Sequence, residues 1–144
     1  ILTVPFAMAA LNTRPGFAGL EWVGAIVWLV GVVGEATADW QLARFRADPA
    51  NKGQVCQDGL WRYSRHPNYF GEFCVWWGFF LLAVAAGGAW TAFSPLLMSV
   101  LLLKVSGVVL LERDIGERRP AYRDYVRRTN AFFPGPPRVA RDSH

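Results

Sequence analysis

Three apolar runs constrain this chain more than any other feature. Residues 73–90 carry no charge, residues 17–34 are interrupted only by Glu21, and residues 95–111 form a third run. About 20 apolar residues in an α-helix cross the hydrocarbon core of a bilayer. The runs therefore predict an all-α fold, a polytopic transmembrane helix bundle. Lys104 interrupts the third run, so it is either a functional group or the partner of an acidic residue outside this sequence.

The charge distribution predicts which side of the membrane the polar segments face. Of the fifteen basic residues, thirteen fall in residues 41–66 and 112–144. Basic segments flanking apolar spans face the cytoplasm by the positive-inside rule. Because the basic patches adjoin spans, they do not indicate nucleic-acid binding. Cys56 and Cys74 lack the spacing of a metal or redox motif, and no metal site is predicted.

The ends of the chain divide it into three parts. It begins at Ile1 within an apolar run. Residues 1–16 are therefore predicted to be the end of a truncated transmembrane helix and a turn, preceded by N-terminal helices of the same chain. Residues 17–138 form the predicted membrane domain, with a cytoplasmic loop over residues 47–58 and a C-terminal interfacial helix over residues 120–129. Residues 139–144 are predicted to be a disordered tail.

A polar, aromatic-rich segment at residues 59–72 lies between two of the spans. Pro67 suits the first turn of a helix, which leaves Arg65 and His66 at an N-terminus whose free N–H groups attract a phosphate. Asn68 and Glu72 are four residues apart and share one helical face. The segment predicts an anionic cofactor held by its phosphates, with Asn68, Tyr69 and Glu72 bonding a neutral head group. The alternative is a basic loop that only anchors a membrane helix.

Two further groups of polar residues are candidates for the same site. Asp39 and Arg46 lie two turns apart on one helical face, although a solvated helix end with an incidental ion pair would give the same pattern. Asn51, Lys52 and Arg62 are candidate phosphate or ribose contacts, or ordinary surface residues. Glu112 is predicted to lie at the same membrane level as Glu72 and Asp39, where carboxylates accept hydrogen bonds from ribose or a carboxamide.

These segments resemble a known family. Residues 59–72, GLWRYSRHPNYFGE, resemble the signature of bacterial membrane proteins related to the C-terminal domain of steroid 5-alpha-reductases. The superfamily also contains sterol reductases and isoprenylcysteine carboxyl methyltransferases, and its Arg-His-Pro-x-Tyr-x-Gly core does not choose between them. Residues 39–46 resemble a stretch that helps to hold NADPH in the reductases. Tyr122, Tyr125 and Arg128, followed by Phe132-Phe133-Pro134, resemble the C-terminal tail that closes over the cofactor.

The resemblance implies a membrane-embedded, NADPH-dependent reductase of lipid metabolism. It would transfer hydride to an activated carbon–carbon double bond of a lipophilic, steroid-like or enone substrate in the bacterial inner membrane, with the cofactor site facing the cytoplasm. The catalytic acid would come from the absent N-terminal helices. The predicted cofactor site comprises Asp39, Arg46, Asn51, Arg62, Tyr63, Arg65, His66, Asn68, Tyr69, Glu72, Glu112, Tyr122, Tyr125 and Arg128.

Two other functions fit parts of the sequence. An S-adenosylmethionine-dependent methyltransferase of the isoprenylcysteine carboxyl methyltransferase type would share Arg65, His66, Pro67 and Tyr69. Those enzymes tend to carry a Glu-Glu pair where this chain has Glu112 followed by Arg. A non-catalytic membrane scaffold is the third reading, and it predicts that the polar candidates can be replaced without consequence.

Overall fold

All regular structure in the described part of the chain is helical. The computed structural model describes residues 2–12, 19–105 and 120–138. Across these ranges it has five α-helices and no strand, and one isolated backbone bridge joins Ser64 to Asn130. The helices are α1 (Val4–Ala10), α2 (Gly19–Ala47), α3 (Pro67–Ala85), α4 (Phe93–Val100) and α5 (Pro120–Arg128). The all-α prediction is confirmed.

Two of the helices are long and apolar enough to cross a membrane, α2 with 29 residues and α3 with 19. At 1.5 Å per residue α2 is roughly 44 Å long, more than a bilayer core requires. Its outer face leaves large apolar side chains exposed, namely Trp22, Val23, Ile26, Leu29, Val30 and Val33. A continuous apolar face of this kind suits lipid and is costly in water. The helix continues without a break past the apolar run to Ala47.

The two long helices pack antiparallel through glycines. A Cβ atom added at Gly31 would lie 2.6 Å from the Gly71 carbonyl oxygen, and one added at Gly78 would lie 2.6 Å from the Trp28 nitrogen. Small residues at such contacts let helix backbones approach closely in membrane proteins. The packing brings the C-terminal end of α2 beside the N-terminal end of α3.

The ends of α3 correct one boundary of the sequence prediction. The helix begins at Pro67, as expected, but it ends at Ala85 and not at Trp90. Gly87 has φ 85° and its N–H bonds the Val84 carbonyl, while the Gly88 N–H bonds the Ala83 carbonyl at 2.7 Å. These are the two hydrogen bonds of a Schellman cap, which terminates a helix whatever the hydropathy of the residues that follow.

The third apolar run is described only in part. A 3-10 turn (Ala89–Ala92) leads into α4, and a π-helical turn (Leu101–Val105) continues it. Lys104 lies on that turn with its side chain exposed. The rest of the predicted third span, residues 106–111, and the predicted tail, residues 139–144, lie outside the described residues. The division of the chain at residues 16 and 138 stays a prediction.

Candidate cofactor site

The loop between α2 and α3 is folded back on the end of α2. The Trp61 indole donates a hydrogen bond from Nε1 to the Ala38 carbonyl at 2.9 Å, and the Leu60 N–H donates to Gln41 Oε1 at 2.9 Å. Gly59 has φ 59°, and a Cβ atom there would overlap the Gln41 carboxamide. Only glycine meets both requirements without strain. The contacts fix the last residues of the loop before α3 begins.

The segment after α5 is fastened to the same end of the loop. Ser64 Oγ donates to the Phe132 carbonyl at 2.8 Å, the Arg65 N–H donates to the Asn130 carbonyl at 2.9 Å, and the Gly135 N–H donates to the Tyr63 carbonyl at 3.1 Å. Phe132 is 4% exposed and packs on the aromatic side chains of α3. We call residues 130–135 the C-terminal strap.

The helix α5 is held by two buried side chains. Arg65 donates from Nη1 to the Val126 carbonyl at 2.8 Å and to the Thr129 carbonyl at 2.9 Å. A cation at the C-terminal carbonyls of a helix is also favoured by the helix dipole. The Tyr125 hydroxyl bonds the Trp61 carbonyl at 2.5 Å and the Ser64 carbonyl at 3.2 Å. The tyrosine face of α5 is thereby packed against the loop.

These elements enclose a cavity of about 460 Å³. Eight of the fourteen predicted site residues line it, namely Asp39, Arg46, Arg65, His66, Asn68, Tyr69, Tyr122 and Tyr125. Among the described residues, the others that line it are Leu42, Phe45, Val55, Cys56 and Trp61. The volume lies within the range of small-molecule and cofactor sites. Stretches far apart in the sequence therefore meet at one cavity, which polar and apolar side chains line together.

Of the other six predicted residues, the five that the structure describes are not part of that lining. Asn51 donates to the Phe45 carbonyl at 2.9 Å and holds the loop, whereas Arg62 and Arg128 are exposed. Tyr63 is 44% exposed and faces a separate apolar cavity of about 190 Å³. Glu72 is half-buried further along α3, and Glu112 lies outside the described residues.

The cavity lining combines one carboxylate, that of Asp39, with several basic side chains. Asn68 donates from Nδ2 to Asp39 Oδ1 at 3.1 Å, which joins α3 to α2. Arg46, Arg65 and His66 supply positive or titratable groups on the same lining. The His66 ring stacks on Tyr69 with centroids 5.7 Å apart. One part of the cavity can therefore bind an anionic group, while the Asp39 and Asn68 pair can bond a neutral polar group.

Some lining residues were not among the sequence candidates. Trp61 lies in the polar, aromatic-rich segment at residues 59–72, and that position is the sequence signal that identifies it as a possible lining residue. Cys56 is buried among Ala38 and Trp61, and no local pattern marks it. Burial raises the pKa of the Cys56 thiol, which keeps it protonated. Among the described residues, no group of three or more His, Cys, Asp or Glu is arranged to hold a metal ion.

In the described residues, the fold and the cavity define an all-α protein with two span-length helices and a cavity of mixed polar and apolar lining at one end of them. Residues 1–129 match the family described as "Protein of unknown function (DUF1295)", and the chain belongs to that family. The family is related to steroid 5-alpha-reductase-like and methyltransferase membrane proteins.

Two curated proteins illustrate the relationship. An uncharacterized protein of Schizosaccharomyces pombe is 30% identical, over 89% of this chain and 42% of its own length. A protein of Ustilaginoidea virens named "Probable O-methyltransferase ustE" is 38% identical, over 58% of this chain and 31% of its own length. The chain thus spans less than half the length of either relative. No solved structure matches it.

Proposed function

We propose that this chain is the cofactor-binding part of a membrane-embedded, NADPH-dependent reductase. Its substrate is a lipophilic molecule with an activated carbon–carbon double bond, such as a steroid-like or other enone. The observation that carries the proposal is the convergence of Asp39, Asn68, Arg46 and His66 on one cavity at the end of two span-length helices. The cavity faces the cytoplasm of a bacterial inner membrane in this proposal.

The side chains divide the binding of NADPH between them. Arg46, His66 and the N–H groups at the start of α3 hold phosphate oxygens, since cations and helix N-termini both favour anions. Arg65 adds positive charge, although its Nη1 already serves two backbone carbonyls. Asp39 and Asn68 bond the carboxamide or ribose hydroxyls.

The chemistry is split between the cofactor and the protein. NADPH, when bound, supplies the hydride for one carbon of the double bond, and an acid must supply a proton to the other. That acid is proposed to lie in helices outside this sequence. The residues described here bind and orient the cofactor and keep water from it.

A methyltransferase that uses S-adenosylmethionine is the second candidate. The relative named as an O-methyltransferase favours it, as does the aromatic content of the cavity, to which Trp61, Tyr69, Tyr122 and Tyr125 contribute. Aromatic rings attract cations, and the sulfonium of S-adenosylmethionine is one.

Binding measurements on the full-length parent protein, purified in detergent, separate the two candidates. We expect NADPH to bind, and we expect Arg46→Ala and Asn68→Ala each to weaken that binding at least tenfold, about 1.4 kcal/mol. Arg127→Ala is the matched control, because Arg127 is exposed and its Nη1 lies 3.8 Å from Oδ1 of Asp124, its neighbour on α5. Binding of S-adenosylmethionine without NADPH would reverse the order of the candidates. Unchanged NADPH affinity in both Arg46→Ala and Asn68→Ala would show that NADPH does not bind in this cavity.

A further inference from the structure

The separate apolar cavity beside Tyr63 has no part in the proposed cofactor binding. Its volume is about 190 Å³, and none of its described lining residues also lines the larger cavity. Among the described residues, the only polar side-chain atoms on its lining are the Tyr63 hydroxyl oxygen and the Cys74 sulfur. A nucleotide buried there would lose its hydrogen bonds to water without gaining others, whereas a hydrocarbon would lose none. The lining therefore selects for a hydrocarbon.

Gly34 gives the cavity room on its α2 side. Gly34 is half-buried and lines the cavity, yet a Cβ atom added there would meet nothing within 4 Å. Gly71 lines the same cavity from α3 but lies in the tight contact between the helices, where an added Cβ atom would lie 2.6 Å from the Glu35 nitrogen. A larger side chain at residue 34 would therefore occupy space at the cavity without forcing the two helices apart.

The cavity extends along the helices and reaches their lipid-facing surface. Pro67, the first residue of α3, and Cys74 both line it, and at 1.5 Å per residue they are roughly 10 Å apart along the helix axis. Val30 lines it from α2, is 57% exposed and belongs to the apolar outer face of that helix. The cavity is thus continuous with the surface that suits lipid, and its long direction follows the helices as a lipid chain does.

The end of the cavity at the start of α3 carries groups that suit the headgroup region of a membrane. Tyr63 is 44% exposed there, and tyrosine is enriched at membrane–water interfaces. Arg62 precedes it and is exposed; the sequence predicts a phosphate contact for Arg62, but this residue does not line the larger cavity. A guanidinium next to an apolar cavity complements a phosphate that is attached to a hydrocarbon chain.

We propose that the apolar cavity binds one acyl chain of a membrane phospholipid, whose phosphate lies at Arg62. The chain enters beside Tyr63 and runs between Gly34 of α2 and Cys74 of α3. The proposal is independent of the identity of the cofactor, because the two cavities have no described lining residue in common.

Native mass spectrometry of the full-length parent protein in mild detergent, with dioleoyl phosphatidylglycerol added, counts the bound lipid. The unmodified protein is expected to retain one phospholipid, and Gly34→Leu to bind it at least tenfold more weakly. Gly19→Leu is the matched control, since it makes the same substitution on the same helix, also with nothing within 4 Å, and Gly19 does not line the cavity. Melting in lipid-free detergent shows whether Gly34→Leu is folded.

A change at the headgroup position keeps the test decisive if Gly34→Leu does not fold. Arg62→Gln alters an exposed side chain and should weaken phosphatidylglycerol binding at least threefold, whereas Arg127→Gln on the exposed face of α5 should leave it unchanged. If Gly34→Leu and Arg62→Gln both retain the lipid like the unmodified protein, the proposal is wrong.

A phosphatidylglycerol that carries a photoreactive diazirine in its acyl chain locates the binding site. In the unmodified protein we expect labelling of the peptide that contains Cys74, and we expect Gly34→Leu to reduce it at least fivefold. Labelling around Trp22, which is exposed on the outer face of α2, should be equal in both proteins. Equal labelling of the Cys74 peptide in both would mean general contact with bulk lipid and would overturn the proposal. It would also be overturned if a second copy of the chain, or a steroid-like enone, displaced the lipid from the unmodified protein.

Discussion

The Tyr125 hydroxyl provides a sensitive test of how α5 is held against the loop. Tyr125 is 3% exposed, and its hydroxyl serves the Trp61 and Ser64 carbonyls. Tyr125→Phe keeps the ring and removes only the hydroxyl. The substitution therefore removes the hydrogen bonding of the hydroxyl to two backbone carbonyls without opening a cavity in the packing.

The expected magnitude follows from the burial of that contact. A net hydrogen bond contributes about 0.5–1.5 kcal/mol, and a buried group left without a partner costs about 1–3 kcal/mol. We take about 2 kcal/mol as the amount by which the substitution lowers the free energy of local opening of α5 and the C-terminal strap. At 1.4 kcal/mol per factor of ten, the open population rises roughly 25-fold.

Hydrogen exchange measured by mass spectrometry reports this opening directly. Peptides from residues 120–138 should exchange roughly 25-fold faster in Tyr125→Phe, while peptides from α2 and α3 keep their protection. Tyr63→Phe is the control, because Tyr63 is 44% exposed. Equal exchange in Tyr125→Phe and the unmodified protein would refute the claim that this hydroxyl holds α5. NADPH affinity should fall as well, since the same helix lines the cavity.

Three further predictions test the packing around the cavity. Gly78→Leu should abolish folded protein in detergent, because the leucine side chain would meet the Trp28 backbone. Gly34→Leu is the control, since its side chain enters open space and the variant should melt within a few degrees of the unmodified protein. Equal melting temperatures of the two variants would contradict the close contact at Gly78. Burial raises the pKa of the Cys56 thiol, so its reaction with maleimide at pH 8 should be slower in the folded protein than in the urea-unfolded chain. The reaction of the folded protein should accelerate at higher pH. Equal rates in the folded and unfolded protein would refute this prediction. Gly59→Ala should lower the free energy of unfolding by about 1–2 kcal/mol from the left-handed backbone by itself, before the contact of the new Cβ with Gln41 is counted. Thermal unfolding measures this loss. An unchanged transition would be inconsistent with the φ of 59°.

The start of α3 was predictable from sequence, and its end was not. Pro67 has a local meaning, since a ring that fixes φ and lacks an N–H suits the first turn. The apolar run continues to Trp90 with nothing in its hydropathy to stop the helix. The stop comes from the backbone hydrogen bonds of Gly87 and Gly88, which form a Schellman cap that hydropathy does not report.

The residues that meet at the candidate site were largely predictable from sequence, whereas the hydrogen-bond partners of each one were not. Asn68 lies on the cavity, but Glu72 does not, because four residues of helix move it about 6 Å along the axis toward Glu35. The sequence predicts that Arg65 binds phosphate. In the structure its Nη1 donates to the carbonyls of Val126 and Thr129, more than 60 positions further along the chain. Nothing in the neighbouring sequence indicates such distant partners. The ligand roles of all these residues stay predictions.

The C-terminal strap also has a consequence for biosynthesis. Ser64 bonds the carbonyl of Phe132, which is 68 residues further along the chain. Until residues 130–135 have been synthesised, the loop between α2 and α3 lacks its hydrogen bonds to the C-terminal strap. The wall that the strap contributes can therefore form only after residues 130–135 have been synthesised, so a chain released a few residues early would contain α2 and α3 and still lack these contacts.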